Sequence, residues 1–582
     1  MVNIVGLSAF YHDAACCLLQ EGNLVAAASE ERFSRIKNDP RLPVNAFRFC
    51  LAEAGLTITD IDCLAYYESP KLKLERQQWA ASKGAGQPPG NAETAFQQIR
   101  DNLGYEGPIR FYPHHQAHGA SAFFYSGFND AAVLTVDGVG EWATTTYGRG
   151  HGHDLDLFEE IHFPHSLGLF YATLTAYLGF RVNSGEYKVM GLAPYGRPLY
   201  CDLLRQLIQT GEGGSFQLNM DYFDFVSGTK MYSKALPELL GQPARLAGTG
   251  IETFHMDVAR SLQDVLEEIL LQKVTWLATQ TDTPNLCMAG GVALNCVANA
   301  RIRRDGPFEN LFVQPAAGDA GSALGAAALA HIELTGKRHT STALDHVYLG
   351  PAWSGDEIHN LLKSSSIPSL DFRSDEAGLL AFVAERLQQK QTVGWFQGSM
   401  EFGPRALGAR SILANPLDPQ IRDRLNRVVK KRESFRPFAP SVLLAHAKSH
   451  FALQGPSAFM LETCQVQSEL DLPGITHVNG SARPQTVTRE QNPRFAALLE
   501  TFYSLSGCPM LVNTSFNVRE EPIVCSPVDA LLCMINSELD LLVLEDAVIE
   551  RCNLPGHLEA LLAAWLPDYR SRAISEHLYT FV

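Results

Sequence analysis

Two histidines four residues apart give the chain its clearest chemical signal. In FYPHHQAHGASAFFYS, residues 111–126, His114 and His118 fall on one face of a helix, an arrangement that lets two imidazoles reach one metal ion. Pro113 suits the helix start. A metal needs more than two ligands, and two carboxylates stand where α/β folds place them. Asp137 ends the apolar run AAVLTVDG, and Asp319 sits in the glycine turn AAGDAGS. His114, His118, Asp137 and Asp319 form a nitrogen and oxygen set that suits iron, manganese or zinc, with positions left for a ligand oxygen. His115 is expected behind the ligands.

Two further sets of residues point to anions. AGGVALNCVANARI at 289–302 reads as a tight turn entering a helix, and PAAGDAGSALGAAALAHIEL at 315–334 repeats that design. Glycine lets backbone amides approach phosphate or adenosine closely, so Gly138, Gly140, Gly290, Gly291 and Gly318, with Asn295, are expected to cradle a nucleotide. Between 401 and 448 there are ten Arg or Lys and four Asp or Glu, a local excess of six positive charges. The whole chain of 582 residues carries 47 Lys+Arg against 63 Asp+Glu, a net −16, so any phosphate site must be a local pocket. That balance argues against coating nucleic acid or an anionic membrane.

The elements that must position these residues follow from hydrophobic runs. Strand-like segments at 3–10, 14–22 and 23–31 precede a helix-like 45–55. Near residue 131 the pattern recurs as AAVLTVDG, ATTTYGRG and DLDLFEEIHF, with a helix-like 169–179 behind it. Two such copies are what a duplicated fold of the actin, sugar-kinase and Hsp70 type looks like. KGAGQPPGN at 83–91 reads as a loop, and 197–250 shows no clear period. The polar stretch 335–355 reads as a connection, giving domains 1–345 and 346–582, the second also α/β. No basic leader or 18-residue apolar run occurs, and twelve scattered cysteines without a C-x-x-C pair suggest neither disulfides nor a zinc ribbon. A cytoplasmic protein is expected.

The strings GLSAFYHDAACCLL, ASEERFSRIKND, HHQAHGASAFF, VDGVGEW, SGEYKVMGLAPYG, GGVALN, PAAGDAGSALGA, FGPRALGARSIL, SFRPFAPS and NTSFN occur in order along nearly the whole chain. With them the chain resembles the NodU/CmcH O-carbamoyltransferases of antibiotic, toxin and nodulation-factor biosynthesis. The resemblance implies an N-terminal actin-like domain similar to the protein that attaches threonylcarbamoyl to tRNA, and a C-terminal domain of the YrdC type, similar to threonylcarbamoyl-AMP synthase. It implies that carbamoyl phosphate and ATP, with Mg²⁺, become carbamoyl-adenylate in the C-terminal domain. The carbamoyl group then passes to a hydroxyl of a small-molecule acceptor at an N-terminal Fe²⁺ held by His114, His118, Asp137 and Asp319.

Physical roles follow for other residues. Carbamoyl phosphate is a dianion with a planar amide end, which guanidinium forks and short polar donors recognise. Arg405, Arg410, Lys430, Lys431, Arg436 and Arg483 are the candidate cations. Asn513, Ser515 and Asn517, read as a polar turn behind the strand CPMLV, are the candidate donors. His12 beside Asp13 is the candidate general base or acceptor-orienting group, since imidazole titrates near neutrality. Lys37 and Lys188 are candidates to neutralise phosphate, and Glu141 to contact the acceptor. The competing readings are a tRNA threonylcarbamoyl transferase, which the acidic balance disfavours, and a small-molecule kinase, which leaves the basic second domain without a purpose.

Overall fold

The computed structural model describes residues 2–84, 93–227, 230–338 and 343–556. Within these, one compact unit holds 2–30 and 38–344, and a second holds 31–37 and 345–556. The single boundary read near 345 therefore needs an amendment: residues 31–37 pack with the second unit. The loop read at 83–91 lies, from 85 onward, outside the described residues, as do 339–342 of the expected connection.

The first unit contains two five-stranded sheets built to one plan. In the first, β1 (Asn3–Ser8), β2 (Ala15–Gln20) and β3 (Asn23–Ser29) form an antiparallel meander. Beside β1, β4 (Cys63–Tyr66) and β5 (Ile109–Phe111) add in parallel, giving the order β3-β2-β1-β4-β5. In the second, β6 (Asp130–Val136), β7 (Ala143–His151) and β8 (Asp154–His162) repeat the meander. There β9 (Asn285–Ala289) and β10 (Asn310–Val313) add in parallel beside β6. The duplication inferred from the apolar runs is thus present strand for strand. The buried strands read as near-continuous apolar runs because both faces are covered.

Helices α1 (Val44–Glu53) and α2 (Pro70–Ser82) lie in the crossovers of the first sheet. Helix α3 (His114–Phe123) leads into the second, α4 (Thr253–Thr281) precedes β9, and α5 (Asp319–Thr335) follows β10. α5 packs on β1, β2 and β4, α3 packs on β6, β7 and β9, and the two helices pack on each other. Their contact is close because DAGSALGAAALA and HHQAHGASAF are rich in Gly and Ala: a Cβ at Gly325 would collide with the Ala117 carbonyl. Arg338 clamps the far end of α3. Its Nη2 donates to the Phe123 and Phe124 carbonyls at 3.1 and 3.2 Å, and its Nη1 to Phe128 and Gly152 at 2.8 and 3.2 Å. Residues 197–250 form short helices and a hairpin of Ile208–Thr210 with Phe216–Leu218.

The second unit is built on an eight-stranded mixed sheet. Its strands are β11 (Leu370–Asp371), β12 (Val393–Phe396), β13 (Arg410–Ala414), β14 (Ala439–Leu443), β15 (Gln485–Val487), β16 (Met510–Ser515), β17 (Leu541–Leu544) and β18 (Ala547–Glu550). They run in the order β11-β18-β17-β12-β13-β16-β14-β15. The core includes Trp395, Phe396, Phe495, Phe502 and Phe516. The segment read as a strand ending before a polar turn is corrected here. β16 continues through Asn513 and Ser515, because Leu413 of β13 and Ala439 of β14 pair with Asn513 on either side. Among the described residues no helix is long and apolar enough to cross a membrane.

Candidate metal centre

Helix α3 starts at His114 behind Pro113, which cannot cap it with a side chain; the cap comes from Glu141 instead. The Glu141 carboxylate accepts from the His114 N–H through both oxygens, each at 3.1 Å, and from Ser69 N–H at 2.5 Å. One buried carboxylate thus closes the first turn of the ligand helix and the N-cap residue of α2 together. Glu141 had been expected near an acceptor; its geometry gives it this capping task.

The four expected ligands meet at one place, and all are buried. A donor atom from each of His114, His118, Asp137 and Asp319 lies within 4.8 Å of the others. His114 Nε2 is 3.3 Å from Asp137 Oδ2 and 3.6 Å from Asp319 Oδ1, and His118 Nε2 is 3.7 and 3.6 Å from the same two oxygens. Ligand polyhedra with bonds of about 2.0–2.2 Å have edges of roughly 3–3.5 Å, so a single cation fits between these atoms. Both Asp319 oxygens and His118 Nε2 are buried without a hydrogen-bond partner, although Asp319 is completely buried. An unsatisfied buried carboxylate is costly, and a divalent cation is what this donor set would satisfy. The outer atoms are already committed. Asp137 Oδ1 accepts from Gly291 N–H at 2.8 Å, leaving Oδ2 for the centre. His118 Nδ1 sits 2.9 Å from Ser322 Oγ, which leaves Nε2 turned inward. His115 lies behind the ligands, its Nδ1 2.6 Å from Thr135 Oγ1.

The electrostatics match a site built for positive charge. Burial works to lower the His118 pKa, but the carboxylates of Asp137 and Asp319 outweigh it and hold the imidazole at about 9. His12 is pushed to about 10 against its own burial by Asp319 and Asp13. Asp137 is held well below the carboxylate range against its burial, chiefly by His114 and His118. Ser322→Ala removes the partner of His118 Nδ1. Metal affinity is expected to fall about tenfold with little change in thermal stability, read by chelator competition.

His12 stands at the edge of this cluster. Its Nε2 is 4.0 Å from Asp319 Oδ2, and its Nδ1 is 3.0 Å from Asp13 Oδ2. Asp13 Oδ1 in turn accepts from Asn38 Nδ2 at 2.6 Å. Lys37, expected beside His12, belongs to the segment 31–37 of the second unit, where its Nζ bridges both Glu31 oxygens at 3.0 Å. Lys188 lies on the short helix Glu186–Leu192.

The glycines divide by task. Gly290 adopts φ 93°, and a Cβ there would meet the backbone of Val136; at Gly140 it would crowd His114 at 2.9 Å. These two are required by packing around the ligands. Gly138 takes a hydrogen bond from Ser166 on its carbonyl, and Gly291 holds Asp137. Gly318 caps α5 and has open space where a side chain would point. Asn295 caps the helix Cys296–Asp305 by accepting from Ala298 N–H and pairs with Gln263 at 3.0 Å, so its amide is committed to the scaffold.

In the second unit, Lys430, Ser515 and Asn517 come together. Lys430 Nζ donates to the Ser515 carbonyl at 2.8 Å and to the carbonyl and Oδ1 of Asn517, both at 2.6 Å. Complete burial, with Arg432 nearby, holds the Lys430 pKa far below the lysine range. Asn513 and Arg410, expected among the anion binders, are instead used structurally. Asn513 Nδ2 donates to Ser441 Oγ, Gln485 Oε1 and the Ala406 carbonyl. Arg410 is wholly buried, stacks 3.6 Å over Phe396, and spends its guanidinium on the Gln397, Ala409 and Pro351 carbonyls. Arg405 is half-buried on the loop between Phe402 and Arg410. Lys431 is exposed, with Nζ 3.1 Å from Asn536 Oδ1; Arg436 lies 3.8 Å from Glu433; Arg483 is half-buried after the short strand Ser481–Ala482. Sequence reading missed Glu401. Its Oε1 accepts from the N–H groups of Leu407 and Ala409 at 2.6 and 2.8 Å and of Arg410 at 3.3 Å, shaping the loop that carries Arg405.

A duplicated pair of mixed sheets with a buried two-histidine, two-aspartate cluster at the strand ends defines an actin-like α/β protein with a candidate metal centre. Sequence comparison gives the particular family. Residues 3–328 match the family described as Carbamoyltransferase N-terminus, and 384–551 match Carbamoyltransferase C-terminus. The chain belongs to the carbamoyltransferase family and is an enzyme of that type. It is 44% identical to an uncharacterized Synechocystis protein over 95% of this chain and 98% of that one. It is 37% identical to nodulation protein NolNO of Sinorhizobium fredii over 97% of this chain and 82% of that protein. Among solved structures, component A of Acidaminococcus fermentans (R)-2-hydroxyglutaryl-CoA dehydratase overlaps 58% of this chain and all of its own, at 12% identity and TM-score 0.33.

Proposed function

We propose that this carbamoyltransferase is an ATP-dependent O-carbamoyltransferase that acts on a hydroxyl of a small natural-product acceptor. The second unit would use one water to hydrolyse carbamoyl phosphate to carbamate and phosphate; the carbamate oxygen would then attack the α-phosphate of Mg²⁺-ATP, breaking its bond to the β-phosphate, to give carbamoyl-adenylate and pyrophosphate. The first unit would then transfer the carbamoyl group to the acceptor oxygen: the C–O bond to the acceptor forms, the bond to AMP breaks, and the hydroxyl proton leaves. The observation that carries this reading is the buried cluster of His114, His118, Asp137 and Asp319 with His12 at its edge.

A bound Fe²⁺, or Mn²⁺ or Zn²⁺, would supply Lewis acidity to the carbamoyl oxygen or the leaving phosphate. With a cation at the centre offsetting the Asp319 charge that raises it, His12 Nε2 would be placed to accept the acceptor proton or to orient the hydroxyl, with Asp13 fixing the ring through Nδ1. Burial of the four ligands keeps water from the reactive carbamoyl group. In the second unit Arg405 would meet the dianion and the nucleotide phosphates, with Lys430 holding Ser515 and Asn517 in place beside it. The nodulation-protein relatives support a small-molecule rather than a tRNA acceptor, as does the net charge of −16.

The test is incubation of purified protein with ATP, carbamoyl phosphate, Mg²⁺ and Fe²⁺ under reducing conditions, followed by mass spectrometry. Carbamoyl-adenylate and AMP are expected. ADP formed equally well without carbamoyl phosphate would replace this reading with a kinase.

A further inference from the structure

Helix α2 turns two of its four charged side chains inward. Lys73 and Arg76 are buried while Leu72 on the same helix is exposed. Lys73 Nζ lies 2.8 Å from Glu68 Oε1, donates to the Phe10 carbonyl at 3.1 Å, and sits 5.4 Å from the centre of the Tyr11 ring. It therefore grips the two residues that precede His12. That loop needs a grip: Phe10 and Asp13 both occupy the left-handed region, at φ 66° and 55°, where side chains bearing a Cβ are strained and a bulky aromatic rarely sits. Further contacts complete the hold. Tyr66 Oη donates to the Ala9 carbonyl at 2.8 Å, Phe10 N–H to Pro40 at 2.6 Å, and Ala14 N–H to Asp39 at 3.0 Å. From α2, Lys73 touches both Phe10 and Tyr11. A buried lysine paired to a glutamate is a poor source of stability, and its value lies in fixing one geometry among several.

We propose that Lys73 is a positioning residue: it locks residues 9–13 in their strained course so that His12 Nε2 faces the Asp319 side of the centre. This rests on the role given to His12 above. A displacement of His12 by about an ångström costs transfer a factor on the order of 10², while the ligands on α3, β6 and α5 keep their places.

Lys73→Met keeps the bulk and removes both polar contacts. Hydrogen exchange read by mass spectrometry on the intact protein should show peptides over residues 9–14 losing protection about tenfold. Peptides over 114–123 and 319–335 should stay as in the wild type, and so should Zn²⁺ affinity and adenylate formation. Acceptor-dependent kcat should fall about 10- to 100-fold, and Lys73→Arg should restore part of both the exchange protection and the rate. Glu68→Gln, which weakens the anchor but keeps the ammonium on Phe10, should give the same local pattern at smaller amplitude. It carries the test if the methionine variant loses protection throughout. Unchanged exchange at 9–14 in the folded variants overturns the lock, whatever the reaction catalysed. Local loosening with an unchanged kcat overturns the link to catalysis. A wild-type protein that forms no carbamate ester removes the functional reading and leaves the exchange result to decide the lock on its own.

Discussion

His114→Ala is expected to abolish carbamoyl transfer while leaving carbamoyl-adenylate formation close to wild type. The imidazole supplies one of four donors that converge within 4.8 Å, and its loss leaves Asp137 Oδ2 and Asp319 Oδ1 facing an imidazole-sized void in a fully buried site. A three-donor remnant with two uncompensated carboxylates holds a divalent ion poorly. Transfer is expected to fall by about 10³-fold or more, consistent with loss of a principal electrostatic contribution. Metal content by mass spectrometry should drop with it. The proposed adenylate step is assigned to the second unit, where Lys430, Ser515 and Asn517 lie, and should continue. Asp319→Asn, nearly isosteric and less disruptive of packing, should repeat the pattern. Loss of both steps in a folded His114→Ala protein would remove the division of labour between the units.

Arg405→Ala is expected to give the complementary result: adenylate formation should fall by about 10²- to 10³-fold, the range for removing a guanidinium from a phosphate site. The Arg405 loop is not slack. Glu401 gathers three of its backbone N–H groups on one oxygen, and the neighbouring Arg410 is sunk in the core. The variant should therefore fold normally, and pyrophosphate release on mixing with ATP and carbamoyl phosphate is the readout. Arg405→Lys should recover little, since an ammonium cannot reproduce the planar fork. A pyrophosphate rate within about threefold of wild type would remove Arg405 from the anion site.

The metal cluster was legible in the sequence because each ligand is announced by its own local pattern: two histidines at helical spacing behind a proline, one aspartate ending an apolar strand, another in a glycine turn. The duplicated sheets were legible for a related reason, since buried strands must be apolar and the meander is written in consecutive segments. Residues whose task is set by distant partners were not legible. Glu141 closes helices that begin at 70 and 114, Lys73 grips residues 10 and 11, and Arg410 looks from the sequence like any anion-binding arginine until Phe396, Gln397 and Pro351 surround it. Asn513 read as a turn residue because it is polar; in the strand its Nδ2 is taken up by Ser441 and Gln485, which nothing nearby in the chain foretells.

Residues 31–37 carry one more consequence, for the newborn chain. Arg35 donates to the carbonyls of Ile523 and Pro522 at 2.6 and 2.9 Å, and Arg32 to Gly403 at 2.9 Å, within the second unit. The partners of Arg35 leave the ribosome 487 and 488 residues after it does. At about 5–20 residues per second, that is a wait of roughly 25–100 s. For that time two arginines and Phe33 must stay available beside an already folded meander. The second unit is thus completed by a piece translated 371 to 488 residues before the partners it docks against. A fragment starting at residue 345 would lack that piece, and adding a peptide of residues 29–39 in trans should raise its resistance to protease.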